Sequence, residues 1–246
     1  RTIEELNLAT VLHEFTKSQQ GFFLAVGPAG HGKTTTLAAL IDEINHKRME
    51  HIITIEDPIE YAFIQDRALI DQREVGTDTL SFHHGLRSVL RQDPDVIMIG
   101  EMRDPESISI ALTAAETGHL VFSTLHTNSV SQTIDRIVDS FPGAQQGQIR
   151  SQLATTLIGI VSQRLIPRIA GGRIPACEIM FVNSAIKNLI REKKTYQIDL
   201  VIDTSVQEGM TSLNRSLVEL VRKREISLES AETYSLNPSE LRQLLG

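Results

Sequence analysis

One stretch constrains this chain more than any other: Gly27-Pro28-Ala29-Gly30-His31-Gly32-Lys33-Thr34. It has the pattern G-x-x-x-x-G-K-[ST], which cradles phosphate when it joins a strand to a helix. Both flanks are present. Phe22-Phe23-Leu24-Ala25-Val26 reads as a buried strand, and Thr35-Thr36-Leu37-Ala38-Ala39-Leu40-Ile41 reads as the start of a helix. The glycines let the backbone wrap closely, so that successive N–H groups face phosphate oxygens, and the helix N-terminus adds its positive end. Lys33 is predicted to reach the β- and γ-phosphates and the Thr34 hydroxyl to bind Mg²⁺. Thr35, the next residue, completes the predicted set of nucleotide contacts. The predicted ligands are therefore ATP and Mg²⁺.

The remaining composition narrows the class. The chain has 246 residues, a net charge of −7, and 41% hydrophobic residues, enough for a sizeable core. An acidic balance with no Trp disfavours a nucleic-acid partner. Cys177 is the only cysteine, so neither an internal disulfide nor a cysteine-cluster zinc site can form, which fits a reducing compartment. No apolar run approaches the ~18 residues of a membrane helix, so direct membrane insertion is not expected.

In chain order, residues 2–20 carry a helical apolar stripe: Ile3, Leu6, Leu8, Val11, Leu12 and Phe15. A second strand, His51 to Ile55, ends in Glu56-Asp57-Pro58. Residues 61–80 read as a solvated loop. A helix over 81–92 precedes the apolar run Val96-Ile97-Met98-Ile99, typical of a central parallel strand. Asp104 and Pro105 are the N-cap and first position of a helix reaching about Thr117. His119 to Leu125 is another strand, and Ser129 with Gln132 opens another helix. Gln145 to Arg164 reads as one long helix. Alternating strands and helices predict an α/β fold with a doubly wound, mostly parallel sheet. After a turn at 168–172 and a strand over 176–182, the pattern becomes helical, so residues 169–246 are expected to form a mainly helical C-terminal subdomain.

Two carboxylates stand where such sheets bind ligands, at the C-terminal ends of strands. Glu101 follows the third strand and can orient and deprotonate an attacking water. The preceding position, ordinarily Asp in a second phosphate-site strand, is Gly100. The carboxylate near Mg²⁺ must then come from elsewhere; Glu56 is the nearest candidate by topology, with Asp57 behind it. His126, at a strand's C-terminal end, can sense the γ-phosphate. His119, at the other end of that strand and some ~23 Å away on an extended chain, reads from its element as structural. Arg87, Arg91 and Arg103 are candidates for stabilising transition-state charge.

Assembled, these segments closely resemble the type II/IV secretion and pilus ATPases over nearly the whole chain. The resemblance rests on the Gly27–Thr34 loop, on Ile53 to Glu60 extending toward Gln72–Gly76 (similar to the family's aspartate box), on Leu90–Asp95 through Gly100–Asp104 (similar to its second phosphate motif, which also has Gly where Asp is usual), and on Thr117–His119 to Leu125–Asn128 (similar to its histidine box). It implies a RecA-like P-loop NTPase core over residues 1–168, Glu101 as catalytic base, and Glu56 near Mg²⁺ and the water. It also implies both His119 and His126 at the active site, and arginines such as Arg91 and Arg103 acting across the interfaces of a homohexamer. Ala185 to Glu192 is similar to a motif of the family's pilus-retracting branch, which implies a motor for twitching motility at the cytoplasmic face of the bacterial inner membrane. Its implied partners are an inner-membrane pilus platform protein and a paralogous retraction ATPase. The branch's N-terminal PAS-like domain has no counterpart among these residues. Three rivals remain: a pilus-extension or type II secretion ATPase, disfavoured because those typically carry a four-cysteine metal module; a non-hydrolysing regulatory module, disfavoured by Lys33, Thr34 and Glu101; and a DNA translocase, disfavoured by charge.

Overall fold

In a computed structural model, residues 1–102 and 104–246 are described. Seven strands form one sheet in the order β3-β2-β4-β5-β1-β6-β7. They are β1 (Gly21–Val26), β2 (His51–Glu56), β3 (Leu69–Glu74), β4 (Val96–Ile99), β5 (Leu120–Leu125), β6 (Leu157–Pro167) and β7 (Arg173–Phe181). All neighbours run parallel except β6 and β7, which form an antiparallel hairpin. The central strands β1, β4 and β5 are buried at every position, as a parallel sheet covered on both faces requires.

Helices cover both faces. On one side α1 (His13–Thr16) and α2 (Lys33–Lys47) pack with the N-terminal segment. On the other lie α3 (Phe82–Val89), α4 (Pro105–Glu116), α5 (Val130–Asp139), α6 (Gly143–Thr156), α7 (Ser184–Arg191) and α8 (Ile198–Thr204). A third cluster joins α9 (Leu213–Arg222), α10 (Leu228–Tyr234) and α11 (Pro238–Leu245) to Ile166, Ile174 and Ala176 of the β6–β7 hairpin. The 168/169 boundary expected from sequence therefore falls within this hairpin, and β7 belongs to the main sheet.

Three local expectations are corrected. The stripe over residues 2–20 does bury Ile3, Leu8, Leu12 and Phe15, but as a turn, a 3-10 segment (Thr10–Leu12) and the short α1 rather than one helix; Asn7 breaks it with φ 55°. Residues 61–80 include β3, a polar edge strand paired in register with β2 from His51–Leu69 to Glu56–Glu74. The long helix expected over 145–164 ends at Thr156, and Leu157 starts β6. Ile158, Ile160 and Val161 are β-branched, and β1 and β7 offer them two open ladders; that pairing outweighs a continuing helical spacing.

Candidate active site

The C-terminal ends of β1, β2, β4 and β5 open into one cleft of about 370 Å³. Its walls include Lys33, Thr34 and Thr35 from the loop and α2, Glu56 and Asp57 from β2, Gly100 and Glu101 after β4, and His126 after β5. Of the loop residues predicted to hold nucleotide, Ala29, Gly30 and Gly32 also line it. Gly32 is left-handed, with φ 83°, and immediately precedes α2, so the loop delivers the helix N-terminus to the cleft.

Three side chains form a relay. Lys33 Nζ donates to the Pro28 carbonyl at 2.9 Å and lies 3.3 Å from His126 Nδ1. His126 Nε2 lies 3.2 Å from Glu101 Oε1. An ammonium can only donate, so in this arrangement Nδ1 is the acceptor and Nε2–H points at the carboxylate. Burial holds the Lys33 ammonium below its ordinary value, against the opposing pull of Glu101 and Glu60.

Gly100 and Glu56 explain one another. Ile55 pairs with Ile99, so the strand ends bring residue 56 beside residue 100. A Cβ at Gly100 would lie 3.3 Å from the Ile55 carbonyl oxygen and 3.4 Å from Glu56 Cα. A carboxylate has little room there, and the neighbouring strand supplies one instead. Glu56 is only 3% exposed. Its Oε1 accepts from Thr54 Oγ1 at 2.6 Å and from Gln72 Nε2 at 3.0 Å, which fixes the side chain at the cleft floor. The Thr34 hydroxyl and the Glu56 carboxylate are hard oxygen donors, the chemistry Mg²⁺ selects when phosphate oxygens and water complete its shell. Among the described residues no cluster of three or more His, Cys, Asp or Glu could hold a metal alone.

Not every predicted residue reaches the cleft. His119 sits at the start of β5, with Nδ1–H donating to the Ala114 carbonyl at 2.9 Å. The whole of β5 separates it from His126, so this chain does not bring it to its own phosphate site. Arg91 is exposed just beyond the C-terminal end of α3, while Phe82 at the other end of that helix lines the cleft. Arg87 pairs with Glu106 at 2.9 Å on the surface. Arg103 lies outside the described residues. Conversely, the cleft gains Glu60, Phe82, Thr124, Leu165 and Arg173. Arg173 comes from the β6–β7 hairpin, its Nη1 3.4 Å from the Gly30 carbonyl oxygen. No sequence spacing links position 173 to position 30; only the hairpin's return across the sheet does.

Strand, loop, helix and paired carboxylates in this order define the P-loop ATPases. A family model, "Type II/IV secretion system protein", matches residues 3–234, and the chain belongs to that family. It is 50% identical over 237 residues to the type IV pilus retraction ATPase PilT of Pseudomonas aeruginosa, covering 96% of this chain and 69% of that protein. To a twitching motility protein of Neisseria gonorrhoeae it is 47% identical, covering 98% of this chain and 64% of that one. The solved structure of the pilus retraction motor PilT with bound ADP superposes with a TM-score of 0.92 at 48% identity, over 99% of this chain and 69% of that chain. The chain thus spans about two thirds of the length of these relatives.

Proposed function

We propose that this chain is the ATP-hydrolysing part of a motor that retracts type IV pili. The observation that carries the reading is the Lys33–His126–Glu101 relay at the mouth of the P-loop, with Glu56 in place of the carboxylate that Gly100 lacks. The loop amides and Lys33 bind the phosphates and take up charge on the transferring group. Glu101 accepts the proton of the attacking water, a role worth about 10²–10⁴ in rate. His126 lies between the lysine and the base, so a γ-phosphate that engages Lys33 also alters the hydrogen bonding of His126, and through it the setting of Glu101. Thr34 and Glu56 would hold Mg²⁺, which when bound neutralises phosphate charge.

Charge at the cleft argues for partners. Among the described residues, four carboxylates (Glu56, Asp57, Glu60 and Glu101) face two cations (Lys33 and Arg173). An anionic nucleotide calls for more positive charge, and arginines of a neighbouring copy in a hexameric ring supply it in this reading. Arg91, exposed and not among the residues that line its own cleft, is our first candidate to act on a neighbour, and Arg103 is kept as a second. We place His119 outside the chemistry of its own cleft. The ring would work at the cytoplasmic face of the inner membrane on the pilus platform protein, alongside a paralogous retraction ATPase; among the described residues no helix is long and apolar enough to cross a membrane. The test is in cells: with Glu101→Gln replacing the native residue, pili are expected to be assembled but not retracted. Retraction at the normal rate would overturn the reading.

A further inference from the structure

Behind the phosphate loop, β6 makes a set of contacts that the relay does not use. Gln163 lies next to β1, where Val26 pairs with Ser162, and is 3% exposed. Its Oε1 accepts from Thr36 Oγ1 at 2.7 Å, and its Nε2 donates to the His31 carbonyl at 2.8 Å. Two residues on, the Leu165 N–H donates to His31 Nδ1 at 3.0 Å. The approach is close enough to need glycine on the loop. A Cβ at Gly27 would lie 2.3 Å from the Gln163 carbonyl oxygen, and one at Gly32 would lie 2.8 Å from Nε2. Both glycines have positive φ, +141° and +83°.

A trans peptide points its C=O and the following N–H in opposite directions. Anchoring the His31 carbonyl outward on Gln163 therefore aims the Gly32 N–H inward, toward the phosphate. The same amide holds Thr36 in the first turn of α2, whose backbone N–H bonds back to the Gly32 carbonyl at 3.0 Å. We propose that Gln163 is a positioning residue for nucleotide binding: its amide spans His31 and Thr36 and sets the loop in the conformation that presents its N–H groups to the phosphates. This rests on the nucleotide-binding reading above. It goes further in assigning the loop's shape to a side chain far along the sequence, on the strand that also carries Ile166 into the C-terminal helical cluster.

Gln163→Glu separates positioning from core filling, because it keeps size and shape. Ionised, the introduced carboxyl still accepts from Thr36 but has no hydrogen for the His31 carbonyl. Protonated, it has one. Among the described residues the titratable and charged groups around the clamp are His31, Lys33, Arg164, Arg173 and Tyr234, whose ring meets that of His31 edge-on, so every value is referred to the wild type at the same pH. With a fluorescent ADP as probe, Gln163→Glu is expected to raise Kd about tenfold near pH 8, the effect of one lost buried hydrogen bond, and to return toward wild type near pH 5.5. Equal affinity at pH 8, or an equal loss at both pH values, would overturn the proposal. Melting curves run in parallel. Should the variant unfold, Thr36→Val carries the test: a several-fold weaker Kd supports the clamp, and an unchanged one overturns it. A wild-type protein that fails to bind ADP, matching Lys33→Ala, would overturn the ATPase reading itself.

Discussion

At the residue scale the site combines contiguous and dispersed parts. Glu101→Gln is expected to lower turnover by about 10²–10⁴ while ADP affinity, measured by fluorescence titration, stays within a factor of about two, because the amide keeps the shape but cannot take the proton. Glu178 gives a second, independent prediction. Only 7% exposed, it accepts from the Val130 N–H at 2.8 Å at the start of α5. Burial first, then Asp199 and Asp203, push its carboxyl up to about 7, although the Val130 N–H and Arg164 pull the other way. The native state then holds a proton that the unfolded chain releases near the ordinary value of 4.5. Stability from this group is full below about pH 4.5, falls as pH rises through 7, and levels off above, by up to about 3 kcal/mol. Urea melts of Glu178→Gln should show a flatter pH dependence over that window, and an unchanged slope would contradict it. The phosphate loop and Glu101 were legible in the sequence because their chemistry is packed into a few adjacent residues. Gln163 and Arg173 were not, because they meet the loop only through the sheet, more than 130 positions away.

At the element scale, caps and apolar runs carried most of the information. Asp104 caps α4 as its sequence suggests, with Oδ1 accepting from the Ser107 N–H and Oδ2 from Ser107 Oγ, both at 2.7 Å. Asp104→Ala should cost about 1 kcal/mol of stability in denaturant melts. The misreading of β6 has a physical origin. Ile149, Leu153, Leu157 and Ile160 continue a helical spacing across the junction; no proline marks the stop at Thr156, and the nearest following glycine, Gly159, already lies within the strand. What ends α6 is tertiary: the chain gains parallel pairing with β1 and antiparallel pairing with β7. Ile160, fully buried in that strand, tests the point. Ile160→Ala should cost about 2–5 kcal/mol, far more than an exposed helical position would. β3 escaped notice for the opposite reason, since Leu69-Ile70-Asp71-Gln72-Arg73-Glu74 is too polar to read as a strand and is held by register with β2.

At the scale of the whole molecule, the sheet order sets the site and, in our reading, its dependence on neighbours. Placing β1 between β5 and β6 puts the phosphate loop beside His126 on one side and Gln163 on the other. Placing β2 beside β4 lets Glu56 stand at Gly100. Among the described residues the same cleft carries more carboxylates than cations, and in our reading one copy is incomplete. The central claim is that Glu101 serves as base in a site completed between copies. Steady-state Mg·ATP hydrolysis against protein concentration, for the wild type and Glu101→Gln, tests it most directly. Turnover per copy is expected to rise with concentration as rings form and to fall by about 10²–10⁴ in the variant. Turnover per copy independent of concentration, or undiminished in Glu101→Gln, would contradict it.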